Sequence, residues 1–298
     1  MKELSDEQLL AELKSRIEER QQSFKKLEEI NEELSKVNQK LVESEQLKSN
    51  FLSNARNEII NPLSSILSLS QSIAFSENTD IAQIQKLATI IYKEAFDLDF
   101  QMNNIFSSAE IEAGEASCEN YNIDFVDLVE KQISKYKNLA ADKGLQLLLE
   151  NNINDNEHHL KSDPSKIEMI ISNLIVNAIS WTDQPGDIII RILNDGANKI
   201  FSVSDHGRGI SKEDQSIIFD RFKSVDPSVH TKNKGHGLGL SIVKAFTEIL
   251  DGEIKLESTP GKGSTFTLII ADTLTGGEIM GSSEWGQDFL FDGSAELF

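Results

Sequence analysis

Asn173-Leu-Ile-Val-Asn177-Ala178, Asp205-His-Gly207-Arg-Gly209-Ile210, Phe219-Asp-Arg-Phe222 and Gly235-His-Gly237-Leu-Gly239-Leu240 follow one another in this order between residues 173 and 240. Alone, a Gly-x-Gly says only that the backbone turns sharply, because glycine lacks the Cβ that forbids positive φ. The surroundings say more. Residues 164–182 carry apolar side chains at helical spacing. Asp187–Leu193, Lys199–Ser204, Gly252–Glu257 and Thr265–Ile270 are rich in Ile, Val, Phe and Thr and read as strands. Helices alternating with strands, with glycines at the turns, predict an α/β layer architecture.

Upstream the composition changes. Gly114 is the first of 17 glycines, and Pro62 is the only proline before Pro164. Glycine costs about 1 kcal/mol inside a helix and proline about 3, so their near absence predicts long helices. Within residues 1–45, Leu27, Asn31, Leu34, Asn38 and Leu41 alternate spacings of four and three, a coiled-coil seam. Asn at the a position favours a parallel dimer in register, and Glu12–Arg16 and Glu32–Lys36 add i,i+4 pairs. Residues 46–113 then predict a helical hairpin, Gln46–Ser76 and Asp80–Ile111, turning at Phe75–Asp80. Two copies would form a four-helix bundle. Residues 114–272 make the α/β part, with helical spacing again within Ile123–Leu149. Residues 273–298 hold five acidic residues, five glycines and no Lys or Arg, which predicts an acidic disordered tail whose Trp285, Phe289, Phe291 and Phe298 could dock.

The 298 residues suffice for about two domains. With 29 Lys and Arg against 49 Asp and Glu, the formal charge is −20, which disfavours nucleic acid and anionic lipid as partners. The single cysteine, Cys118, excludes an internal disulfide and a cysteine-based metal cluster and fits a reducing cytoplasm. No apolar run reaches the roughly 18 residues of a membrane span, and MKELSDEQLL is too acidic for a signal peptide. A cytoplasmic protein with no membrane segment is expected.

The four ordered segments resemble the catalytic ATP-binding domain of sensor histidine kinases, within the gyrase, Hsp90, histidine kinase and MutL ATPase superfamily. Gly252–Phe266 resembles that domain's closing strand pair, and the resemblance extends over about residues 46–272. It implies Mg-ATP as cofactor. Asp205 would accept the adenine amino hydrogen, Gly207 and Gly209 would admit the base, and Asn177, with Asn173, would offer hard oxygens to Mg²⁺. Gly235, Gly237, Leu238 and Gly239 would bring backbone N–H groups to the phosphates at a helix beginning near Leu240. Phe222, Lys232 and Lys234 would belong to an ATP lid over 222–235, and Thr265 to the nucleotide site. Ser180 stands where the family usually has Lys or Arg, and Trp181 where it has Tyr or Phe. Loss of that cation would slow transfer unless a lid lysine substitutes.

Phe51-Leu-Ser-Asn-Ala-Arg-Asn57-Glu58-Ile-Ile-Asn61-Pro62-Leu63 resembles the family's phosphoacceptor box, with Asn57 where the family has histidine. An imidazole nitrogen with a free lone pair attacks phosphorus; an amide nitrogen, its lone pair delocalised, does not. Autophosphorylation is therefore not expected. Glu58-Ile-Ile-Asn61 matches the family's E-x-x-N/T motif for dephosphorylating a response regulator, with Asn61 placing water on the aspartyl phosphate. Positions 57 and 61 are i and i+4, on one helical face. The five histidines offer no replacement acceptor: His158 and His159 fall in a polar loop, His206 and His236 in the glycine boxes, and His230 in the lid.

These residues predict a homodimeric two-component signalling protein that binds ATP, docks a receiver domain and removes its phosphate. Three alternatives stand beside it. One is an ordinary autokinase whose acceptor histidine was replaced by Asn57; another is a non-catalytic ATP-sensing scaffold, favoured by Ser180. The third is a heterodimer in which this ATP domain phosphorylates the histidine of an active kinase partner. About 45 residues precede the hairpin, short of a separate sensor domain, so the input is expected to arrive through the coil from a partner or from a portion outside this chain.

Overall fold

The computed structural model describes residues 6–75, 80–154, 157–182, 185–221 and 237–272. The predicted ATP lid and tail lie outside those residues, as does most of the Phe75–Asp80 turn. The chain divides into two compact units, Met1–Asn54 and Ala55–Phe298.

Helix α1 runs Asp6–Ala74 with Pro62 inside it. In the first unit its apolar side chains Phe24, Leu27, Ile30, Leu34, Val37 and Leu41 are exposed, Leu34 by 64%. Leucines seven residues apart and open to solvent are what a lone strand of a coiled coil presents.

In the second unit, α2 (Ile81–Ala113) ends where Gly114, at φ 70°, returns its N–H to the last turn. Strand β1 (Tyr121–Asp124) pairs antiparallel with β3 (His159–Ser162). A five-stranded sheet is ordered β2 (Leu145–Asn152), β4 (Gly186–Asn194), β5 (Asn198–Ser204), β7 (Gly263–Ala271), β6 (Glu253–Thr259). Only β2–β4 is parallel; the remaining pairs are antiparallel. Helices α3 (Phe125–Asp142), α4 (Pro164–Trp181) and α6 (Gly239–Ile249) pack against one another and the sheet, and α5 (Lys212–Gln215) is a single turn.

The core follows from period-two alternation in the strands. Ile188, Ile190 and Ile192 of β4, Phe201 and Val203 of β5, and Phe266, Leu268 and Ile270 of β7 are buried. They face Ile167, Ile170, Ile171, Leu174 and Ile175 of α4, which are fully buried. Asp163 starts α4: its carboxylate accepts the Lys166 N–H and pairs with the Lys166 ammonium at 2.6 Å, while Pro164 occupies the first turn. Burial alone would raise the Asp163 carboxyl, but hydrogen bonds from Glu119 N–H, Lys166 and Ser165 hold it below its ordinary value.

One local expectation is narrowed and another needs correction. Helical spacing within Ile123–Leu149 extends only through Asp142. Gly144 adopts φ 73°, the helix stops, and the leucine-rich run from Leu145 pairs beside β4 as a strand. His159 opens β3 instead of lying in a loop.

Candidate functional site

The candidate residues converge between the C-terminal half of α4, the turn after β5 and the start of α6. Asp205 leaves β5 with only 8% of its surface exposed. Its backbone N–H donates to Ser264 O at 2.9 Å, fastening the turn to β7. Its Oδ1 accepts the N–H of Gly207 at 2.8 Å and of Ser264 at 3.3 Å. Burial pushes the carboxyl above its ordinary value, opposed by those two N–H groups. With Oδ1 engaged by backbone, Oδ2 is the oxygen left to meet a ligand amino group.

Two of the glycines beside Asp205 show why close approach requires them. A Cβ on Gly207 would lie 2.3 Å from Trp181 O and 2.9 Å from Asp205 Oδ1. One on Gly263 would lie 2.0 Å from Asp205 O, at a φ of +96°. Gly209 N-terminal to Ile210 sits in a turn held by Ser258, whose hydroxyl accepts the Ile210 N–H at 2.8 Å and donates to Gly263 O. Thr265 lies on β7 opposite Ser204, their hydroxyls 2.9 Å apart, one residue from Asp205.

At the other end, Asn173 is 4% exposed and Asn177 half-buried one turn further along α4. The Asn173 Nδ2 donates to Met169 O at 2.9 Å and to Asn104 Oδ1 of α2 at 2.8 Å. Its Oδ1 approaches Gly239, where a Cβ would stand 2.6 Å away. Gly237, at φ 66°, and the buried Leu238 lead directly into α6, which begins at Gly239, one residue before the predicted start. The Asn173 amide oxygen beside a helix N-terminus fits Mg²⁺, which takes few protein ligands and completes its shell from phosphate and water. No group of three or more His, Cys, Asp or Glu suited to a metal occurs among the described residues.

Of the sequence-predicted residues, Asp205, Gly207, Gly209 and Thr265 share one end of this region, and Asn173, Gly237, Leu238 and Gly239 the other. Phe222, Lys232, Lys234 and Gly235 lie outside the described residues. Asn57, Glu58 and Asn61 all fall within α1, and the Asn61 side chain is exposed. Sequence reasoning missed three contacts. The Arg208 guanidinium lies 3.9 Å over the Trp181 ring, beside the Asp205 turn. Asn104 reaches the site from α2. Its only signal was an amide set among Phe96 and Phe100 at helical spacing. Lys143 donates to the Ile179 and Ser180 carbonyls and closes the α4 C-terminus.

Residues 162–274 match the family described as histidine kinase-, DNA gyrase B-, and HSP90-like ATPase. The circadian input-output histidine kinase CikA of Synechococcus elongatus is 30% identical over 76% of this chain and 30% of its own length. The sensor protein GacS of Pseudomonas syringae pv. syringae is 33% identical over 88% of this chain and 29% of its own. BarA of Escherichia coli K12, a signal transduction histidine-protein kinase, is 30% identical over 82% and 27%. The chain thus spans under a third of these relatives' length. The crystal structure of full-length ShkA in complex with AMPPNP shares the fold with a TM-score of 0.53 at 21% identity, covering 78% of this chain and 47% of that one. No described helix is long and apolar enough to cross a membrane. A helical region leads into an α/β domain of the histidine kinase ATPase fold, and the chain belongs to the sensor histidine kinase family.

Proposed function

We propose that this chain binds Mg-ATP, pairs with a second copy through its coil and hairpin, and docks a response-regulator receiver whose phosphate it removes. The observation that supports the reading is a contrast: Asp205 and Asn173 stand at two ends of one region of the α/β domain, while position 57 of α1 holds an amide. Asp205 Oδ2 accepts the adenine amino hydrogen. Gly207 and Gly263 keep the approach to that carboxylate open, since a methyl at either would strike backbone. Asn177 and Asn173 hold the metal, which when bound neutralises phosphate charge. The α6 N-terminus turns its free N–H groups toward the phosphates.

On α1, Asn61 orients a water for in-line attack on a receiver's aspartyl phosphate, and Glu58 supports it. The water oxygen bonds phosphorus as the phosphorus–aspartyl oxygen bond breaks. The products are the free receiver carboxylate and inorganic phosphate. Asn57 cannot receive the ATP γ-phosphoryl group because its nitrogen lone pair is delocalised.

The same contrast favours a second reading, phosphoryl transfer from this ATP site to the histidine of a partner kinase. The test is the decay of a phosphorylated receiver with ATP present. Acceleration by this chain that Asn61→Ala abolishes supports the phosphatase. Unchanged decay, with label moving onto a partner's histidine, supports the second reading.

A further inference from the structure

Helix α2 does more than complete a hairpin. Lys93, Phe96, Phe100, Asn104 and Ser107 recur every three or four residues, on one face. That face meets the α/β domain along its length. Lys93 pairs with Asp142 of α3 at 2.6 Å. Phe96 and Phe100 both stand edge-on to Tyr136, with ring centroids 5.6 and 6.4 Å away. Ser107 and Ser108 are buried, and α2 packs on α6. Within this contact Asn104 is 5% exposed.

Burying an amide among aromatic and aliphatic side chains costs free energy unless its partners are specific. Asn104 has one: its Oδ1 accepts from Asn173 Nδ2 at 2.8 Å. Asn173 has no freedom to turn over. Its Nδ2 already donates to Met169 O, a carbonyl that only accepts, so a flipped amide would set oxygen against oxygen. With both Nδ2 hydrogens assigned, Oδ1 is held toward Gly239 at the start of α6, where absence of a Cβ leaves room.

We infer that Asn104 is a positioning residue for the nucleotide site: from the hairpin, it fixes the Asn173 amide so that Oδ1 is presented to the Mg-nucleotide. The inference rests on the Mg-ATP reading above. It links the hairpin to the site reciprocally. Rotation of α2 by one residue, about 100°, removes the acceptor from Asn173 and lowers metal-dependent affinity. Bound Mg-nucleotide in turn holds α2 in this register.

The test is calorimetric binding of AMPPNP to the full chain, in MgCl2 and in EDTA, for the native protein, Asn104→Leu and Asn104→Asp. The ratio of the two affinities is the readout, because a change in packing alone shifts both together. Asn104→Leu fills similar volume but accepts no hydrogen bond, and should reduce the Mg²⁺-dependent gain by roughly 10-fold, the low end for loss of an outer-shell partner. Metal-free affinity should stay within about twofold, well under the roughly 1.4 kcal/mol of a tenfold change. Asn104→Asp keeps an acceptor at the same reach and should hold the gain at or above the native level, which reads on the inference even where the leucine variant fails to fold. An unchanged ratio in Asn104→Leu, or a loss in Asn104→Asp equal to that in Asn104→Leu, overturns the positioning role alone. Native protein that binds no AMPPNP overturns the Mg-ATP reading and this inference with it.

Discussion

The helical region and the α/β domain spend their apolar residues in opposite ways. From Phe125 to Ile270 the large aliphatic and aromatic side chains are mostly buried between sheet and helices. Among the described residues of the helices, Phe24, Leu27, Leu34, Leu41, Leu63 and Leu67, and also Ile81 and Phe106, are exposed. Each buried Leu or Ile contributes roughly 1.5–3 kcal/mol. The domain collects that within one chain; the helices can collect it only from another surface. On the proposed reading the chemistry divides along the same line: the domain would hold the nucleotide, and α1 carries Asn57 at the position where the resemblance expects the acceptor histidine. The difference teaches that the domain buries its apolar face within one chain, whereas on the proposed reading the helices bury theirs only against a second copy.

The largest expected effect tests that difference directly. Leu34→Asp places a charge in the seam of both copies and should weaken dimerisation by about 100-fold or more, since removing buried leucine alone costs about 2–5 kcal/mol. Sedimentation equilibrium checks it, and a native chain that is monomeric at high concentration breaks the comparison. Next, Asn61→Ala should slow receiver dephosphorylation by about 100-fold, the scale for losing a positioned proton-handling group. It should leave AMPPNP affinity unchanged, because the residue belongs to the helical side of the contrast. Third, Asp205→Asn should weaken AMPPNP binding by about 10- to 100-fold, the worth of one hydrogen bond to a charged group. An amide there can turn its own donor toward the adenine amino group; calorimetry reads the loss.

How much of this was legible in the residues depended on locality. The strands β4, β5, β6 and β7 were readable because alternation and flanking glycines act within a few residues. The glycine boxes were readable for the same reason, and Gly207 and Gly263 are now tied to specific backbone atoms. Leu145–Asn152 was not, because leucine favours helix locally and only pairing with β4 makes it a strand. Arg208 over Trp181 and Asn104 against Asn173 were invisible because they join residues far apart in sequence. The side chain that matters there is polar for a reason that exists only after folding.

The smallest effect concerns pH. Burial raises the Asp205 carboxyl above its ordinary 3.8, so the folded chain holds that proton more tightly than the unfolded one. Its contribution to stability is present below the unfolded value and is lost as pH rises through the folded one. Nucleotide binding has the opposite sign, because only the carboxylate accepts from adenine. AMPPNP affinity should therefore begin to fall on acidification at a pH above 3.8, by up to tenfold per unit below the folded value. Asp205→Asn should abolish that dependence.

The most direct measurement is incubation with γ-labelled ATP of this chain beside its Asn57→His variant. The account predicts no label on the native chain and acid-labile label on the variant, because on the proposed reading the ATP site still transfers phosphate and the nucleophile is what residue 57 lacks. Label on the native chain, or none on either, would contradict it.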